Sequence, residues 1–336
     1  MNNPSEPTLP SGPVQRWRKL GRVLGPTDDG AWDCNPASPH VIIMGDKLRM
    51  YYEGRQPFTL PNGRREYVLR MGMAEASIHD PLTWKKCPEN PTFDVGPAGS
   101  VDSHWAGYPW IVRVTDRHWH MYYASWDGSV LPYGITFRKW GTTMAESDDA
   151  GITWRRSGKL VIHPGRPGAC DEHGSGSCVV LKVGEEYWMW YTAIFKPRPD
   201  FQRISIALAI SRDGGHTFEP HPAGAVFNKP AILGAVGSTC SKPHLEYRDG
   251  KFLMWFSGSS PAGRTYRIFY AESPDGICFR WHPDPVLDVS PEGWDSRGTC
   301  YPSIVHLPGR TLMYYVGNGV NPSEQLDGIG VAELEA

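Results

Sequence analysis

The sequence has no long hydrophobic run and no large excess of charge of either sign. No apolar stretch approaches the ~20 residues that a membrane-spanning helix needs. The first residues, MNNPSEPTLPSGPVQRW, lack the basic start and the apolar stretch of a secretory signal. The net charge is −2, so no overall field favours nucleic acid or an anionic membrane as a partner. These absences predict a protein that binds neither nucleic acid nor a membrane. A cytoplasmic location is expected, although a mature protein with its signal removed would look the same. The oligomeric state is left open.

Cysteine is scarce, and its spacing is not that of a disulfide framework or a zinc site. The chain has 7 Cys in 336 residues, with neither a Cys-x-x-Cys pair nor a His-x-x-x-His sequence. This predicts reduced thiols and a cytosolic compartment. Some of the cysteines recur at similar places in the chain near histidines, namely Cys34, Cys170, Cys240 and Cys300 with His40, His104 and His173. Small buried thiols explain them better than a soft-metal site, so we predict no metal and no cofactor.

The chain is rich in turn-forming and aromatic residues. It has 37 Gly and 31 Pro, together with 14 Trp, 15 Tyr and 11 Phe. So many helix breakers exclude helical bundles and disfavour a doubly wound α/β sheet. Apolar residues make up 40 % of the chain and charged residues 21 %, which is enough for a folded core. The composition therefore predicts an all-β fold.

An internal repeat organises the sequence. A strand in which Met precedes two aromatic residues occurs five times, each time after a short turn and an earlier apolar strand. The five motifs begin at Met50, Met121, Met189, Met254 and Met313. The earlier strands share a landmark residue, namely Pro39, Pro109, Cys178, Pro243 and Pro302. Strand, tight turn and strand predict a β-hairpin in each copy.

Each hairpin is followed by a third strand, a turn and an aromatic residue. Two of these turns, at 147–154 and 211–218, match the Ser-x-Asp-x-Gly-x-Thr-aromatic Asp-box. In this motif Asp can cap the turn, Gly can take a positive φ and the aromatic ring can anchor the hairpin, so we interpret it as a folding element. Four strands in ~60–70 residues are typical of a β-propeller blade.

The last copy stops before a fourth strand, and the N-terminus supplies a matching one. The segment WRKLGRVL at 17–24 aligns with WRRSGKLV at 154–161. We therefore predict a single five-bladed β-propeller domain over residues 1–336, with four antiparallel strands per blade and the last blade closed by the N-terminal strand. The blades are expected at about 32–93, 102–163, 170–228, 237–289 and 293–336, the last together with 14–25.

Acidic residues recur where the first strand of a copy begins, 17–19 residues before the Met. They are Asp33, Asp102, Asp171 with Glu172, and Asp295. The fourth copy has Gly237 and Ser238 there instead. A single Asp at such a position is often a turn cap. Four that converge on the axis of a propeller would instead raise one another's pKa and supply both an acid and a base.

This arrangement resembles the five-bladed glycosidase superfamily that includes glycoside hydrolase families 43, 32, 68, 117 and 130. The resemblance spans nearly the whole chain through its blade architecture. In families 43 and 32 the first three blades carry an Asp, an Asp and a Glu, which serve as base or nucleophile, as stabiliser and as general acid. Carried over by position, these are Asp33 in WDCNP, Asp102 in VDSHW and Glu172 in DEHG, with Asp171 as a rival to Glu172. The chain departs from the usual Asp-Pro dipeptides of blades one and two.

The resemblance implies cleavage of a glycosidic bond by carboxylate general acid and base chemistry in a central pocket. It leaves open an inverting, retaining or phosphorolytic outcome. Family 43 members often hold Ca²⁺ on the axis, which makes an axial Ca²⁺ the one weak exception to the expectation of no cofactor. The expected partner is a small-molecule or oligosaccharide substrate.

Other residues near the start of the blades are expected to shape the pocket. Candidates for stacking on a sugar are Tyr108, Trp126 and Tyr301. Candidates for binding hydroxyls or an anion are Asp171, His173, Lys242, His244, Asp295 and Arg297. The loops between second and third strands are basic and include Arg55, which fits either a solvated surface or the grip on a uronate, sialate or phosphate.

Two other classes of function remain open. A carbohydrate-binding propeller without catalysis would use the same acids to bind hydroxyls. A glycoside phosphorylase, or an enzyme of specialised metabolism, would use the same scaffold for another reaction, because a fold does not fix its chemistry.

Overall fold

The structure is a computed structural model that describes residues 15–28, 30–59, 63, 65–129, 140–198, 201–227, 231–232, 235–236, 239–259, 265–319 and 327–335. Within these ranges the chain forms 22 strands and no helix, which confirms the all-β class predicted from composition. It follows that these ranges contain no helix with the length and apolar character to cross a membrane.

Most strands belong to five antiparallel groups, which we number in chain order. Group 1 contains β2 (Pro36–Met44), β3 (Lys47–Thr59), β4 (Arg65–Ser77) and β5 (Asp80–Lys86). Group 2 contains β6 (Trp105–Arg113), β7 (Trp119–Trp126), β8 (Gly141–Ser147) and β9 (Arg155–Ile162). Group 3 contains β10 (Ser175–Val183), β11 (Glu186–Arg198), β12 (Phe201–Ser211) and β13 (Glu219–Phe227).

The remaining groups follow the same order of strands. Group 4 contains β16 (Thr239–Arg248), β17 (Lys251–Ser259), β18 (Tyr266–Ser273) and β19 (Arg280–Trp281). Group 5 contains β20 (Gly298–Leu307), β21 (Arg310–Asn318), β22 (Gly328–Leu334) and β1 (Trp17–Leu24). The short pair β14 (Ala231–Ile232) and β15 (Ala235–Val236) lies between groups 3 and 4 in the chain.

The Met of the repeat has the same register in every group. It pairs with an apolar residue of the first strand, giving the pairs Val41–Met50, Ile111–Met121, Val180–Met189, Leu245–Met254 and Ile304–Met313. All five Met side chains are at most 1 % exposed. Burying a Met side chain contributes about 1.5–3 kcal/mol to the free energy of folding. The Met of each repeat is therefore part of the hydrophobic core of its group.

The N-terminal strand completes group 5. β1 pairs antiparallel with β22, and Arg18 lies opposite Glu333, with which it forms a salt bridge of 2.8 Å. The predicted pairing of residues 17–24 with the C-terminal strand is therefore confirmed. The pairing leaves neither β1 nor β22 without a partner at this edge.

The first strands of the groups contact one another in cyclic order. β2 contacts β6 and β20, β10 contacts β6 and β16, and β16 contacts β20. In each group the turn after the first strand and the turn after the third strand lie on one side, because successive strands are antiparallel. We call this side the lower face, and we call the side on which the first strands begin the upper face.

Candidate functional site

The four recurring aspartates make the same hydrogen bond, each within its own group. Each accepts it from the hydroxyl of the second aromatic residue of the Met motif. The pairs are Asp33–Tyr52 at 3.0 Å, Asp102–Tyr123 at 2.8 Å, Asp171–Tyr191 at 2.7 Å and Asp295–Tyr315 at 2.9 Å. Burial and the adjacent carboxylate raise the pKa of each tyrosine hydroxyl, so each hydroxyl remains a donor.

Three of these aspartates also bind a cation from the outermost strand of their group. The pairs are Asp33 with Lys86 at 2.7 Å, Asp102 with Arg156 at 2.8 Å and Asp295 with Lys19 at 2.7 Å. Each aspartate thus ties the loop before the first strand to the second and fourth strands. These contacts favour a structural role for Asp33 and Asp102, and the catalytic role that the resemblance assigns to them stays a prediction.

The fourth copy of the repeat provides an internal comparison. Its sequence has Gly237 and Ser238 where the aspartate stands elsewhere, and residues 237–238 lie outside the described part of the chain. Its second aromatic residue is Phe256, which has no hydroxyl to donate. The aspartate and the tyrosine hydroxyl are therefore lost together, as expected if each exists to satisfy the other.

Glu172 lies in the loop before β10 and is half-buried. Its Oε2 accepts a hydrogen bond from the backbone N–H of Gly168 at 2.9 Å, within the same loop. The structure thus holds Asp33, Asp102 and Glu172 in three different groups, each by partners from its own group. The role of Glu172 as general acid also stays a prediction.

A second set of polar side chains comes together where the first strands of different groups meet. We call Glu53, Arg55, Tyr108, Lys242 and Tyr301 the central cluster. Glu53 accepts hydrogen bonds from Arg55 Nε and from the backbone N–H of Tyr108, both at 2.7 Å. Arg55 also donates to the Tyr108 hydroxyl at 2.9 Å. The Tyr108 ring meets the Tyr301 ring edge-on with centroids 5.6 Å apart, so groups 1, 2 and 5 form one connected set.

Lys242 brings group 4 into the central cluster. Its side chain is buried, and the pKa of its ammonium group falls to about 8 because burial outweighs the attraction of Glu53. The opposite balance holds for Arg55: burial lowers its pKa, but Glu53 raises it well above the ordinary value. With Lys242 protonated, the charges of Glu53, Arg55 and Lys242 sum to +1. Arg55, whose side chain is 15 % exposed, is the most accessible of these three.

The backbone of the cluster is strained. The first strand of every group has a break in register at the landmark residue. In four groups the residue before the landmark Pro has a left-handed φ, namely Ser38 (49°), Tyr108 (57°), Lys242 (43°) and Tyr301 (58°). Such residues cost about 1–3 kcal/mol each and cluster at binding and catalytic sites. A bulge of this kind re-aims the side chain away from the regular strand direction.

Three of the four strained residues are each held by the preceding group. The residue three positions after the Met accepts its backbone N–H, in the pairs Glu53–Tyr108 (2.7 Å), Thr192–Lys242 (3.2 Å) and Ser257–Tyr301 (2.8 Å). Glu53 is absent from the site residues predicted from sequence. A polar residue at this position in copies one, three and four is the signal that could have identified it.

Trp126 is linked to the central cluster through a chain of other rings. Its ring centroid lies 5.3 Å from that of Trp105, which lies 4.9 Å from Trp140, which lies 6.0 Å from Tyr108. Trp126 is 4 % exposed. Its position therefore fits a buried wall behind Tyr108 better than an open stacking platform.

Three of the predicted binding residues have their contacts elsewhere. His244 lies on β16 below the bulge, 3.3 Å from Glu246, and its ring centroid is 5.3 Å from Trp110. Buried His173 donates its backbone N–H to Ile194 at 3.0 Å. Arg297 is exposed. Of the predicted site residues, the structure thus brings together Arg55, Tyr108, Lys242 and Tyr301.

Comparison of the sequence with known proteins finds two relatives that match over nearly the whole chain. No protein-family model matches the chain. Two uncharacterized proteins from two strains of Mycobacterium tuberculosis are each 28 % identical to it over 328 residues, covering 95 % of this chain and 99 % of the relative.

Several solved structures share the fold. BT0996, solved as an RGII complex, is 19 % identical with a TM-score of 0.76, and the match covers 95 % of this chain and 92 % of that protein. A member of the GH130 family of mannoside phosphorylases, which contains glycoside hydrolases that target β-1,2 mannosidic linkages in Candida mannan, is 15 % identical with a TM-score of 0.72, covering 98 % and 96 %. The family 117 glycoside hydrolase Zg3597 of Zobellia galactanivorans is 16 % identical with a TM-score of 0.64, covering 96 % and 90 %. The chain therefore shares the fold of these solved structures.

Proposed function

We propose that the chain is an enzyme that acts on glycosyl groups, with the substrate bound on the upper face against the central cluster. The five groups are the blades of a single five-bladed propeller domain over residues 1–336 in this proposal. The cyclic contacts of the first strands and the pairing of β1 with β22 support that arrangement. The axis of such a propeller is where a concave pocket is expected.

The observation that carries the proposal is the convergence of strained residues on one buried ion pair, Glu53 and Arg55. Tyr108, Lys242 and Tyr301 come from three groups, and all precede a landmark Pro. Glu53 and Arg55 reach the same place from β3. A left-handed φ at a Lys and two Tyr destabilises the fold and adds nothing to the hydrophobic core. Strain of this kind around an ion pair is typical of a binding site.

The charges at the cluster favour a substrate with an anionic group. Arg55 and Lys242 outnumber Glu53, and a carboxylate or phosphate beside Arg55 would balance the excess positive charge. A uronate residue of a glycan supplies a carboxylate, and inorganic phosphate supplies the anion in a phosphorolytic reaction. Two other basic residues, Arg70 on β4 and Arg267 on β18, are already paired with Asp94 and Asp288, which leaves the centre as the better anion site.

The chemistry requires one group that protonates the leaving oxygen and one carboxylate that acts on the other side of the sugar. Glu53 is the carboxylate that the cluster offers. Glu172, which is less buried, is the proposed acid in the role that the resemblance gives it. Asp33 and Asp102 are proposed to support the loops of the site, since Tyr52, Tyr123, Lys86 and Arg156 occupy them.

The test is a panel of aryl glycosides, aryl uronides and β-1,2-linked manno-oligosaccharides, assayed with and without inorganic phosphate. Turnover of at least one substrate is expected. Glu53→Gln should lower kcat/KM by about 10²–10⁴, and the control Glu185→Gln, on an exposed lower-face turn, should leave it unchanged. Near-ultraviolet circular dichroism checks that both variants fold. Unchanged kcat/KM in folded Glu53→Gln, or no turnover of any substrate, would contradict the proposal.

A carbohydrate-binding propeller without catalysis is the second candidate. It is favoured by one observation: Asp33 and Asp102, to which the resemblance assigns the base and stabiliser roles, are held by a tyrosine and a cation of their own groups. Calorimetric titration of the same glycans distinguishes the two functions. Binding that Glu53→Gln weakens, without turnover by the unmodified protein, would identify the binding protein.

A further inference from the structure

Three side chains that commonly bind zinc lie together on the lower face, away from the central cluster. His118 precedes β7, His120 lies on β7, and Glu146 lies opposite His120 on β8. The Nε2 atoms of His118 and His120 are 3.2 Å apart, and Oε1 of Glu146 lies 3.9 and 3.8 Å from them. In the ranges that the structure describes, this is the one group of three such residues close enough to share a metal ion.

A fourth donor comes from the neighbouring group. His216 lies in the Asp-box turn between β12 and β13, and its Nδ1 is 4.0 Å from the same oxygen of Glu146. Its ring centroid is 5.4 Å from that of His120. The Tyr122 hydroxyl donates to the carbonyl of Gly215 at 2.9 Å, which fixes the two groups against each other beside the histidines. The His216 side chain is 52 % exposed and therefore has room to turn towards a ligand.

Hydrogen bonds to the other ring nitrogens set the tautomers of the first two histidines. Nδ1 of His118 donates to Asp148 at 2.7 Å. The Tyr122 hydroxyl uses its proton on Gly215, so it accepts from Nδ1 of His120 at 3.3 Å. With both Nδ1 atoms donating, the neutral imidazoles direct two Nε2 lone pairs at each other. Lone pairs 3.2 Å apart repel unless a proton or a metal ion lies between them, and a metal ion can bind both at once.

The separations suit a tetrahedral metal ion. Zn–N bonds of about 2.0–2.1 Å place neighbouring donors of a tetrahedron about 3.3 Å apart. The two Nε2 atoms already meet that condition, and the Glu146 oxygen meets it after a shift of about 0.5 Å. Imidazole nitrogens together with one carboxylate oxygen are common ligands of zinc sites in proteins.

The surrounding charges orient the ligands. Arg155 binds Oε2 of Glu146 at 2.9 Å, which leaves Oε1 facing the histidines. Arg155 also binds Oδ2 of Asp148 at 3.3 Å, while Oδ1 of Asp148 holds His118. A carboxylate that holds the far nitrogen of a histidine is the usual outer partner of a metal-binding imidazole.

We propose that His118, His120, Glu146 and His216 bind one Zn²⁺ ion, or a divalent transition metal of similar preference, that links group 2 to group 3. The sequence predicts no metal because it contains neither Cys-x-x-Cys nor the helical His-x-x-x-His. On an extended strand the corresponding spacing is His-x-His, which puts both rings on one face.

The experiment titrates Zn²⁺ into the full chain after treatment with a chelator and dialysis, with calorimetry and the melting temperature as readouts. One Zn²⁺ per chain and a rise in melting temperature are expected. His118→Gln should weaken binding at least tenfold, and Asp148→Asn, which removes only the outer partner, about tenfold. Co²⁺ in place of Zn²⁺ should give the visible absorption of a tetrahedral site.

His79→Gln is the matched control, because His79 is exposed and lies in another group. It should bind Zn²⁺ as the unmodified protein does. His216→Gln, at an exposed turn position that should fold normally, tests the link between groups and should weaken binding at least tenfold. The proposal is overturned by the absence of saturable one-to-one binding, or by equal affinities of His118→Gln and His79→Gln. Full affinity in His216→Gln would overturn the link between the groups.

Discussion

The carboxylate of Glu53 and the backbone N–H of Tyr108 lie 2.7 Å apart across the boundary between groups 1 and 2. The other oxygen of the Glu53 carboxylate binds Arg55. One residue therefore fixes a strained backbone and neutralises a buried cation. This hydrogen bond therefore affects both the stability of the fold and the geometry of the candidate site, because it supports the bulge that orients the ring of Tyr108.

Removing the Glu53 carboxylate should therefore destabilise the protein strongly. Glu53→Ala leaves Arg55 without its partner, and breaking a buried ion pair in this way costs about 3–5 kcal/mol. The additional change Arg55→Ala should recover part of that loss. Urea denaturation measures both, with Glu185→Ala expected within about 0.5 kcal/mol of the unmodified protein. Equal free energies of unfolding for Glu53→Ala and Glu185→Ala would refute the role assigned to the pair.

The pairing of Asp102 with Tyr123 should appear as a coupling energy. Asp102→Asn removes the charge of the acceptor and Tyr123→Phe removes the donor of the 2.8 Å hydrogen bond, so the double variant should lose less than the sum of the single losses. The expected coupling is about 1–3 kcal/mol, since one partner is charged and both are buried. Tyr191→Phe, which breaks the bond to Asp171 in another group, should be additive with Asp102→Asn. Additive effects of Asp102→Asn and Tyr123→Phe would contradict the structural role proposed for Asp102.

Gly54 should not tolerate a methyl group. A Cβ there would lie 2.5 Å from the Trp32 ring and 2.6 Å from its carbonyl oxygen. Overpacking of this kind costs about 1–3 kcal/mol or more. Gly298 is the matched control, because a Cβ there meets its first neighbour only at 3.6 Å. Thermal unfolding should show a large drop in melting temperature for Gly54→Ala and a small change for Gly298→Ala; similar drops in both would contradict this account.

Acid should weaken the protein through the Asp-box turns. Burial would raise the pKa of Asp149 and Asp213, but hydrogen bonds from each turn's Thr, Ser and backbone lower both to about 2. The ordinary Asp pKa is about 3.9, so their stabilisation is present above about pH 4 and lost as the pH falls through about 2. The double variant Asp149→Asn, Asp213→Asn should have a lower melting temperature at neutral pH and a flatter profile between pH 4 and 2.

Asp116→Asn provides the comparison for that profile, because Asp116 is exposed in the hairpin turn after β6. Its melting temperature should follow the unmodified protein at every pH. Parallel profiles for the double variant and the unmodified protein would show that the two carboxylates do not supply the acid-sensitive stabilisation.

Sequence is a good guide to the hairpins and a poorer guide to the side chains between them. The Met motif fixes the register because one buried residue per hairpin must face the core, and pairs such as Val41–Met50 follow from it. The aspartates are recognisable as a recurring set, but their tyrosine partners look like ordinary core residues. The joint loss of Asp and hydroxyl in the copy with Phe256 is the sequence signal that connects them.

The central cluster is predictable in part. Tyr108, Lys242 and Tyr301 are expected in a pocket because they precede the landmark prolines, and the structure brings them together. Glu53 is harder to predict, because its signal is only a polar residue three positions after the Met in copies one, three and four, and a strand pattern does not separate a buried acid from an exposed one. Its burial depends on Arg55 and on the N–H of Tyr108, one of which lies 55 residues further along the chain.

The pairing of β1 with β22 has a consequence for synthesis. Arg18 leaves the ribosome 315 residues before Glu333, the residue that it finally faces. During translation β1 has to wait, with its backbone groups solvated, until groups 1 to 4 and β22 have been synthesised. Group 5 can be completed only after β22 has been synthesised, so a chain that stalls before Gly328 leaves β1 without its partner strand.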